Sequence, residues 1–480
     1  MGPTNQPRVT RRGFLRGALI AGGGLATLGG GYDALTRLAH AQGDNPDAPE
    51  RYYIFAYFPG AWDVLLGLDP RDPRQFTNGN LRTTRIQPGY ELVEMADADL
   101  VRVSTAAGDE LSFGPYIGDL ARHADRLCVV RGMSMDTLTH EVGRRRFITG
   151  KPPSGLQARG TSAGTWLADR FGGKEPIPQL SVQVEAYNVE RPDFATALKV
   201  NSVNDLLRAL RPAAPEVDWR VGRQMSETLA EQARCLRATP SPLWRSAEGS
   251  RQKAREMVTG GFADAFDFSA LNPLMNALRA HYGITNRNDL NTPEARAALA
   301  VQAITTGISR VVSVAVTPSL DTHFDDWITD QGPNQRRGFN AIARMAEMLA
   351  QLPYGNRGES WLDHTTIVGF SEFSRTPLLN TRGGRDHHLT NSCFLLGGGV
   401  RGGQVIGASS DVGMSPQTVN LHTGAVDPDG EVIRPEHIIQ TLYDEVGIDF
   451  AATDLRVPEC RMDLLDPCSD RTSAIPALIG

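Results

Sequence analysis

The sequence predicts an α/β protein, a three-layer α/β/α sandwich around a mostly parallel central sheet, with a helical insertion. Three observations predict it. Short apolar runs recur along the chain, helical stretches lie between them, and a cluster of polar residues follows most of the runs.

The first run, Tyr52-Tyr53-Ile54-Phe55-Ala56-Tyr57-Phe58, is stopped by Pro59-Gly60. Leu127-Cys128-Val129-Val130 is the second, and 311–316 the third. Thr365-Thr366-Ile367-Val368-Gly369-Phe370 is the fourth, and Phe394-Leu395-Leu396, before three glycines, the fifth. Runs this short and this apolar suit strands buried on both faces, the usual state inside a parallel sheet. Residues 338–351 carry helical periodicity ahead of the fourth strand, and 436–446 read as another helix. Residues 200–300 are rich in Arg, Ala, Leu and Glu with few strand signals, and read as a helical insertion or cap; 415–435, rich in Pro, Gly and Asp, read as loop.

The N-terminus reads as an address. Thr10-Arg11-Arg12-Gly13-Phe14-Leu15-Arg16 gives a polar residue, two arginines, a free position, an apolar pair and a base, the twin-arginine export pattern. Residues 17–39 are weakly apolar and diluted by glycine. A membrane span needs about 20 mainly apolar residues, and glycine weakens a helix. Ala39-His40-Ala41 supplies a small-x-small site, which places cleavage before Gln42. The expected organisation is a signal peptide over 1–41 and one domain over 42–480 that leaves the cytoplasm through the twin-arginine translocase, for the periplasm or the exterior, with no stable membrane span. The formal charge of −6 argues against nucleic acid, which demands clustered Lys and Arg. Of the five cysteines, Cys460 and Cys468 bracket a short Pro-containing segment and are the candidate pair for a disulfide in an oxidising compartment; Cys128, Cys235 and Cys393 read as buried apolar residues.

The polar clusters carry the functional signal. Asp63 follows the first strand; Asp136 and Thr139-His140-Glu141, then Arg144-Arg145-Arg146, follow the second. The third runs into Asp321-Thr322-His323, and the fourth into Ser371-Glu372-Phe373-Ser374-Arg375, then Gly384-Arg385-Asp386-His387-His388. In an open α/β sheet the carboxyl ends of the strands form the ligand crevice, so these clusters gather at one edge. Asp321 and His323, two apart, face the same side of extended chain. Carboxylate and imidazole donors without thiolates suit a divalent Zn, Mn, Fe, Mg or Ca. Each piece also has a structural reading: a carboxylate after a strand often caps the next helix, Asp-Thr-His can be a turn, Arg144 can lie on an exposed helix face, and Arg375 can pair with Asp386.

Gly60-Ala61-Trp62-Asp63, Leu320-Asp321-Thr322-His323, Ser371-Glu372-Phe373-Ser374-Arg375-Thr376-Pro377, Gly384-Arg385-Asp386-His387 and the glycine-rich stretch 396–407 resemble the domain-of-unknown-function 1501 family. The resemblance runs from about residue 50 to 455 and is most specific over 365–407. That family is usually grouped with the alkaline phosphatase and sulfatase superfamily, so the resemblance implies an alkaline-phosphatase-like fold and a metal-dependent hydrolase of a phosphate or sulfate ester, on a small molecule or a polymer. By position, Asp63, Asp321, His323, Glu372 and His387 resemble the metal-binding set. Counting back from Ile148-Thr149-Gly150, the superfamily's nucleophile position falls on His140, which the resemblance leaves as nucleophile, proton-transfer group, ligand or vestige. Arg144 or Arg375 would neutralise oxyanion charge. The chain lacks Cys-x-Pro-x-Arg, so no formylglycine can form, and Phe373 stands where a further ligand would, which favours one metal over two. The alternative is a non-catalytic envelope protein that binds a polymer or another exported protein on the same scaffold.

Overall fold

In a computed structural model of the chain, residues 50–93, 99–211, 218–233, 260–455 and 472–480 are described, with isolated positions between 241 and 257. Residues 1–41, expected as a signal peptide, and Cys235, Cys460 and Cys468 lie outside the described residues.

An eight-stranded sheet forms the centre. Its strands are β1 (Tyr52–Tyr57), β2 (Leu127–Ser134), β3 (Gln179–Val182), β4 (Leu198–Val200), β5 (Val311–Ala315), β6 (Thr365–Phe370), β7 (Thr390–Gly397) and β8 (Gln404–Ile406). Their order is β8-β2-β7-β6-β1-β5-β3-β4. All five apolar runs are strands of this sheet. β1 lies between β5 and β6, parallel to both, with Ile54 opposite Val312 on one side and Ile367 on the other. Every residue of β1 is buried, as a strand covered on both faces must be.

The one departure in direction is β7, antiparallel to both β6 and β2. An apolar run reads the same in either direction, so its composition is silent on this. The consequence is functional: residues that precede β7, rather than those that follow it, reach the carboxyl edge of the parallel strands. His387 and His388 sit there, paired with Arg375 and Ser374 in a two-residue ladder.

Helices cover both faces. α1 (His140–Thr149), α2 (Ala163–Phe171) and α5 (Pro435–Glu445) pack on the face that carries Tyr53, Phe55 and Tyr57. α3 (Pro293–Thr305) and α4 (Gly332–Gln351) pack on the face that carries Tyr52, Ile54 and Ala56. This is the α/β/α sandwich. The starts of α3 and α5 are set by proline in the first turn, where no N–H is missed; the Thr292 hydroxyl also caps α3 by accepting from Ala295 N at 3.2 Å. α4 begins earlier than its periodicity suggests, because Pro333 and Gly332 open it. Helices Val203–Leu210, Trp219–Ala233 and Pro273–Tyr282 fill much of the stretch before α3, and Leu206, Leu207 and Leu278 join the α3–α4 side of the core. Cys128 and Cys393 are buried free thiols. No helix among the described residues is long and apolar enough to cross a membrane.

Candidate metal centre

The loops at the carboxyl edge are locked together before any side-chain chemistry is considered. Gly60, just past β1, has φ +94°, and a Cβ there would lie 2.4 Å from Leu320 N, so the loops after β1 and β5 touch backbone to backbone. Gly60 N donates to Glu372 Oε1 at 2.8 Å, which ties in the loop after β6. On the other side, a Cβ on Gly143 would lie 2.3 Å from Glu372 O, so the first turn of α1 presses directly on that loop. Trp62 Nε1 donates to Asn391 Oδ1 at 2.7 Å and Asn391 Nδ2 donates to Ser371 O at 2.9 Å, fixing the start of β7 against the same loops.

Four side chains meet where these loops converge: His140 at the first residue of α1, Asp321 and His323 after β5, and His387 ahead of β7. One ligand atom from each lies within 4.8 Å of the others. His323 Nε2 is 2.9 Å from His387 Nε2. Asp321 Oδ1 is 3.2 Å from His323 Nε2, 3.3 Å from His140 Nε2 and 3.8 Å from His387 Nε2.

The outer nitrogens decide what the inner ones are. His140 Nδ1 faces Glu372 Oε1 at 2.7 Å, His323 Nδ1 faces Asp386 Oδ1 at 2.9 Å, and His387 Nδ1 faces the Leu138 carbonyl at 2.7 Å. Carboxylates and carbonyls accept only, which assigns the proton of each neutral ring to Nδ1 and leaves three Nε2 lone pairs. Two lone pairs 2.9 Å apart, beside a carboxylate oxygen, repel each other unless a cation or a proton stands among them. His140 Nε2 is buried and has no hydrogen-bond partner. An orphaned buried acceptor aimed into three other donors fits a metal ion, and the oxygen on each Nδ1 is the usual outer support of a metal-binding histidine.

The electrostatics follow from the same contacts. Burial works against the charged His140, but the hydrogen bond and charge of Glu372, then Asp321, outweigh it and raise its pKa. Burial likewise works to raise Glu372, yet the His140 hydrogen bond and charge carry it below the usual carboxylate range. His387 is pushed down, chiefly by burial. Asp386 is lowered first by its bond to His323.

Four expected site residues take other roles. Asp63 does not join the cluster: it is wholly buried, and its carboxylate accepts from Trp327 Nε1 at 2.8 Å and Leu65 N at 3.0 Å and pairs with Arg385 Nε at 3.1 Å. Glu372, expected as a ligand, lies one step outside, accepting from His140, from Gly60 N, and from Ser371 Oγ at 3.0 Å. Arg144, expected to face an oxyanion, donates to Glu185 Oε2 at 3.1 Å, a carboxylate it shares with Arg145. Arg375 does lie at the cluster, but as a buried clamp. Its guanidinium donates to Asp321 Oδ1 at 2.6 Å and to the carbonyls of Ala61, Leu320 and Arg385 at 3.1–3.2 Å, and also to Gly60 O. It is fully covered, so it presents no N–H to a substrate, and it pairs with Asp321, not Asp386. Phe373 fills the wall behind the cluster, its ring 4.8 Å from His140 and 4.5 Å from His387, where a second ion would need room. Sequence reasoning missed Asp386 as a site residue. The only signal was its place beside His387, and it serves His323 instead.

The site is open on one side: the Asp321 side chain is 45% exposed, whereas Arg375 behind it is fully covered.

No curated protein matches the chain. It is similar to a protein in the alkaline phosphatase superfamily from Vibrio parahaemolyticus, known from a crystal structure, with 9% identity and a TM-score of 0.32 over 87% of this chain and 75% of that one. The family model described as "Protein of unknown function (DUF1501)" matches residues 54–454, most of the molecule, and the chain belongs to that family.

Proposed function

We propose that this protein is an exported, metal-dependent hydrolase of phosphate or sulfate esters, with one divalent ion held by His140, Asp321, His323 and His387. The observation that carries the reading is the convergence of three Nε2 atoms, each on a ring whose Nδ1 faces an acceptor, and one carboxylate oxygen beside the exposed Asp321. Four donors would hold one ion rather than a pair, and N/O donors suit Zn, Mn or Fe; water or ester would then bind as a fifth ligand, since four protein donors alone fill a tetrahedral zinc site. A divalent ion there would supply Lewis acidity for ester cleavage.

The chain's own residues supply the rest. Glu372 and Asp386 orient His140 and His323 and make them better donors. Arg375 holds Asp321 against the backbone of three loops. If His140 Nε2 holds the ion, the position that resembles the superfamily's nucleophile would serve as a ligand, and water would be the attacking group. The open side beyond Asp321 admits both water and ester.

The test is metal analysis of the purified protein, followed by a screen of aryl phosphates and aryl sulfates with each divalent ion. One equivalent of metal and turnover that disappears in His387→Ala are expected. Metal without any turnover would favour the non-catalytic envelope reading, and no metal at all would overturn both the ion and the hydrolase. Export is tested separately: with Arg11→Lys and Arg12→Lys together, the chain should stay in the cytoplasm and retain residues 1–41, whereas the exported form should begin at Gln42 on N-terminal sequencing.

A further inference from the structure

Beside the metal centre, behind His323, stands an exposed arginine, Arg382, whose one ion-pair partner is itself exposed. Arg382 stands on the turn between β6 and β7, and that turn is pinned to the His323 segment. Phe324 bridges Gly383, Asn380 Nδ2 donates to His323 O at 3.0 Å, and a Cβ on Gly384 would lie 2.3 Å from His323 C. The Arg382 guanidinium lies over the exposed Phe324 ring, 4.4 Å from its centroid, a stacking that sets its direction. Its NH2 group is 3.3 Å from Asp386 Oδ1, the same oxygen that holds His323 Nδ1 at 2.9 Å. Arg382 is therefore one carboxylate away from a metal-facing ring.

The other arginines of the region are committed. Arg375 is buried among five acceptors, and Arg144 and Arg145 share Glu185. Arg382 has a 51% exposed side chain and pairs with a carboxylate almost as exposed, at 47%. An exposed pair of this kind contributes little and exchanges partners easily. A divalent ion and Arg375 together balance Asp321, Glu372 and Asp386, and Arg382 adds a positive charge beside them. Asp326, on the same lip, is turned back onto the Phe324 N–H at 3.0 Å.

We infer that Arg382, stacked on Phe324, is the specificity residue of this site, and that it recognises the non-bridging oxygens of a tetrahedral oxyanion ester. The guanidinium fork matches two such oxygens, which a neutral ester lacks. The inference rests on the hydrolase reading above and replaces Arg144 and Arg375 as the source of anion recognition.

The experiment uses the full metal-loaded protein with p-nitrophenyl phosphate, p-nitrophenyl sulfate and neutral p-nitrophenyl acetate, alongside calorimetric titration with inorganic phosphate and with sulfate. Arg382→Ala should raise KM for the preferred anionic ester about tenfold, the scale of one charge-assisted bond, with kcat within about twofold. The Kd of the matching free anion should rise by a similar factor, while the neutral ester and the metal content stay unchanged. Whichever of phosphate or sulfate responds is the ester class. Arg382→Lys should recover part of the loss, because a point charge keeps the attraction and loses the fork. Wild-type KM and anion binding in Arg382→Ala would overturn the inference and leave the hydrolase reading intact, and so would an equal rise in KM for the neutral ester, which marks a structural role. A wild-type protein that holds metal but cleaves no ester sinks the hydrolase reading itself, and the inference with it.

Discussion

At the scale of single residues, the proposed metal centre separates candidate ligands from their supports. Removing a ligand by His323→Ala or His387→Ala should abolish retention of the ion through dialysis, read by elemental analysis. Glu372→Gln removes the charge behind His140 while its amide oxygen can still accept from His140 and Gly60 N, and loss of such a support typically weakens metal binding 10–100-fold. Competition with a chelating dye should therefore show Glu372→Gln weakened but still loaded at one equivalent. Asp63 gives the opposite pattern. Its carboxylate is sealed between Trp327, Arg385 and the Leu65 amide, so Asp63→Asn leaves the Arg385 charge buried without its partner. Breaking a buried pair on one side costs about 3–5 kcal/mol. Urea unfolding should report a loss of that order, with metal stoichiometry unchanged in the folded fraction. A full loss of metal in folded Asp63→Asn would return Asp63 to the ligand set. Sequence alone does not distinguish Asp63 from Asp321, since each is an acid shortly after a central strand. What separates them is the burial partners, Trp327 and Arg385, which arrive from distant parts of the chain.

At the scale of elements, the sequence is most legible where burial is complete. The five apolar runs became strands because both faces of each are covered, and that coverage leaves its mark in composition. Three further strands, β3, β4 and β8, escaped notice. They are short and carry Gln179, Ser181, Lys199 and Gln404, so their apolar signal is too weak to read. The direction of β7 left no mark either, yet it brings His387 to the cluster. The packing of α1 is a third feature set by shape. Gly143 is a poor helix residue, and replacing glycine by alanine inside a helix ordinarily gains about 1 kcal/mol. Here the added methyl would meet the Glu372 carbonyl. Overpacking of this kind costs about 1–3 kcal/mol, so Gly143→Ala should lower stability in a denaturant titration. It should also weaken metal binding, because His140 leads the same helix and must shift with it. A stabilised Gly143→Ala variant with unchanged metal affinity would mean that α1 does not set the position of His140.

At the scale of the whole molecule, the four donors come from three stretches that are far apart in sequence: the start of α1, the loop after β5 and the approach to β7. An ion held by all three binds the folded chain and has no comparable site in the unfolded one, so binding adds directly to folding free energy. The gain follows RT ln(1 + [L]/Kd), about 2.7 kcal/mol at a free-ion concentration a hundredfold above Kd. A chelator should then lower Tm, and restored metal should raise it progressively with concentration. The same scan on His387→Ala supplies the sign test. That variant lacks one donor and should show neither the chelator-induced fall nor the recovery, whereas a metal acting at some unrelated surface site would shift both proteins alike. The linkage also bears on the route implied by residues 10–16. A chain exported already folded can carry an ion chosen inside the cell, and an ion that holds three loops in register leaves slowly. The exchange half-time of the bound metal, measured with an excess of a competing divalent ion, should therefore be long in the wild type. It should shorten in Glu372→Gln, where one ligand has lost its support but every loop remains in place.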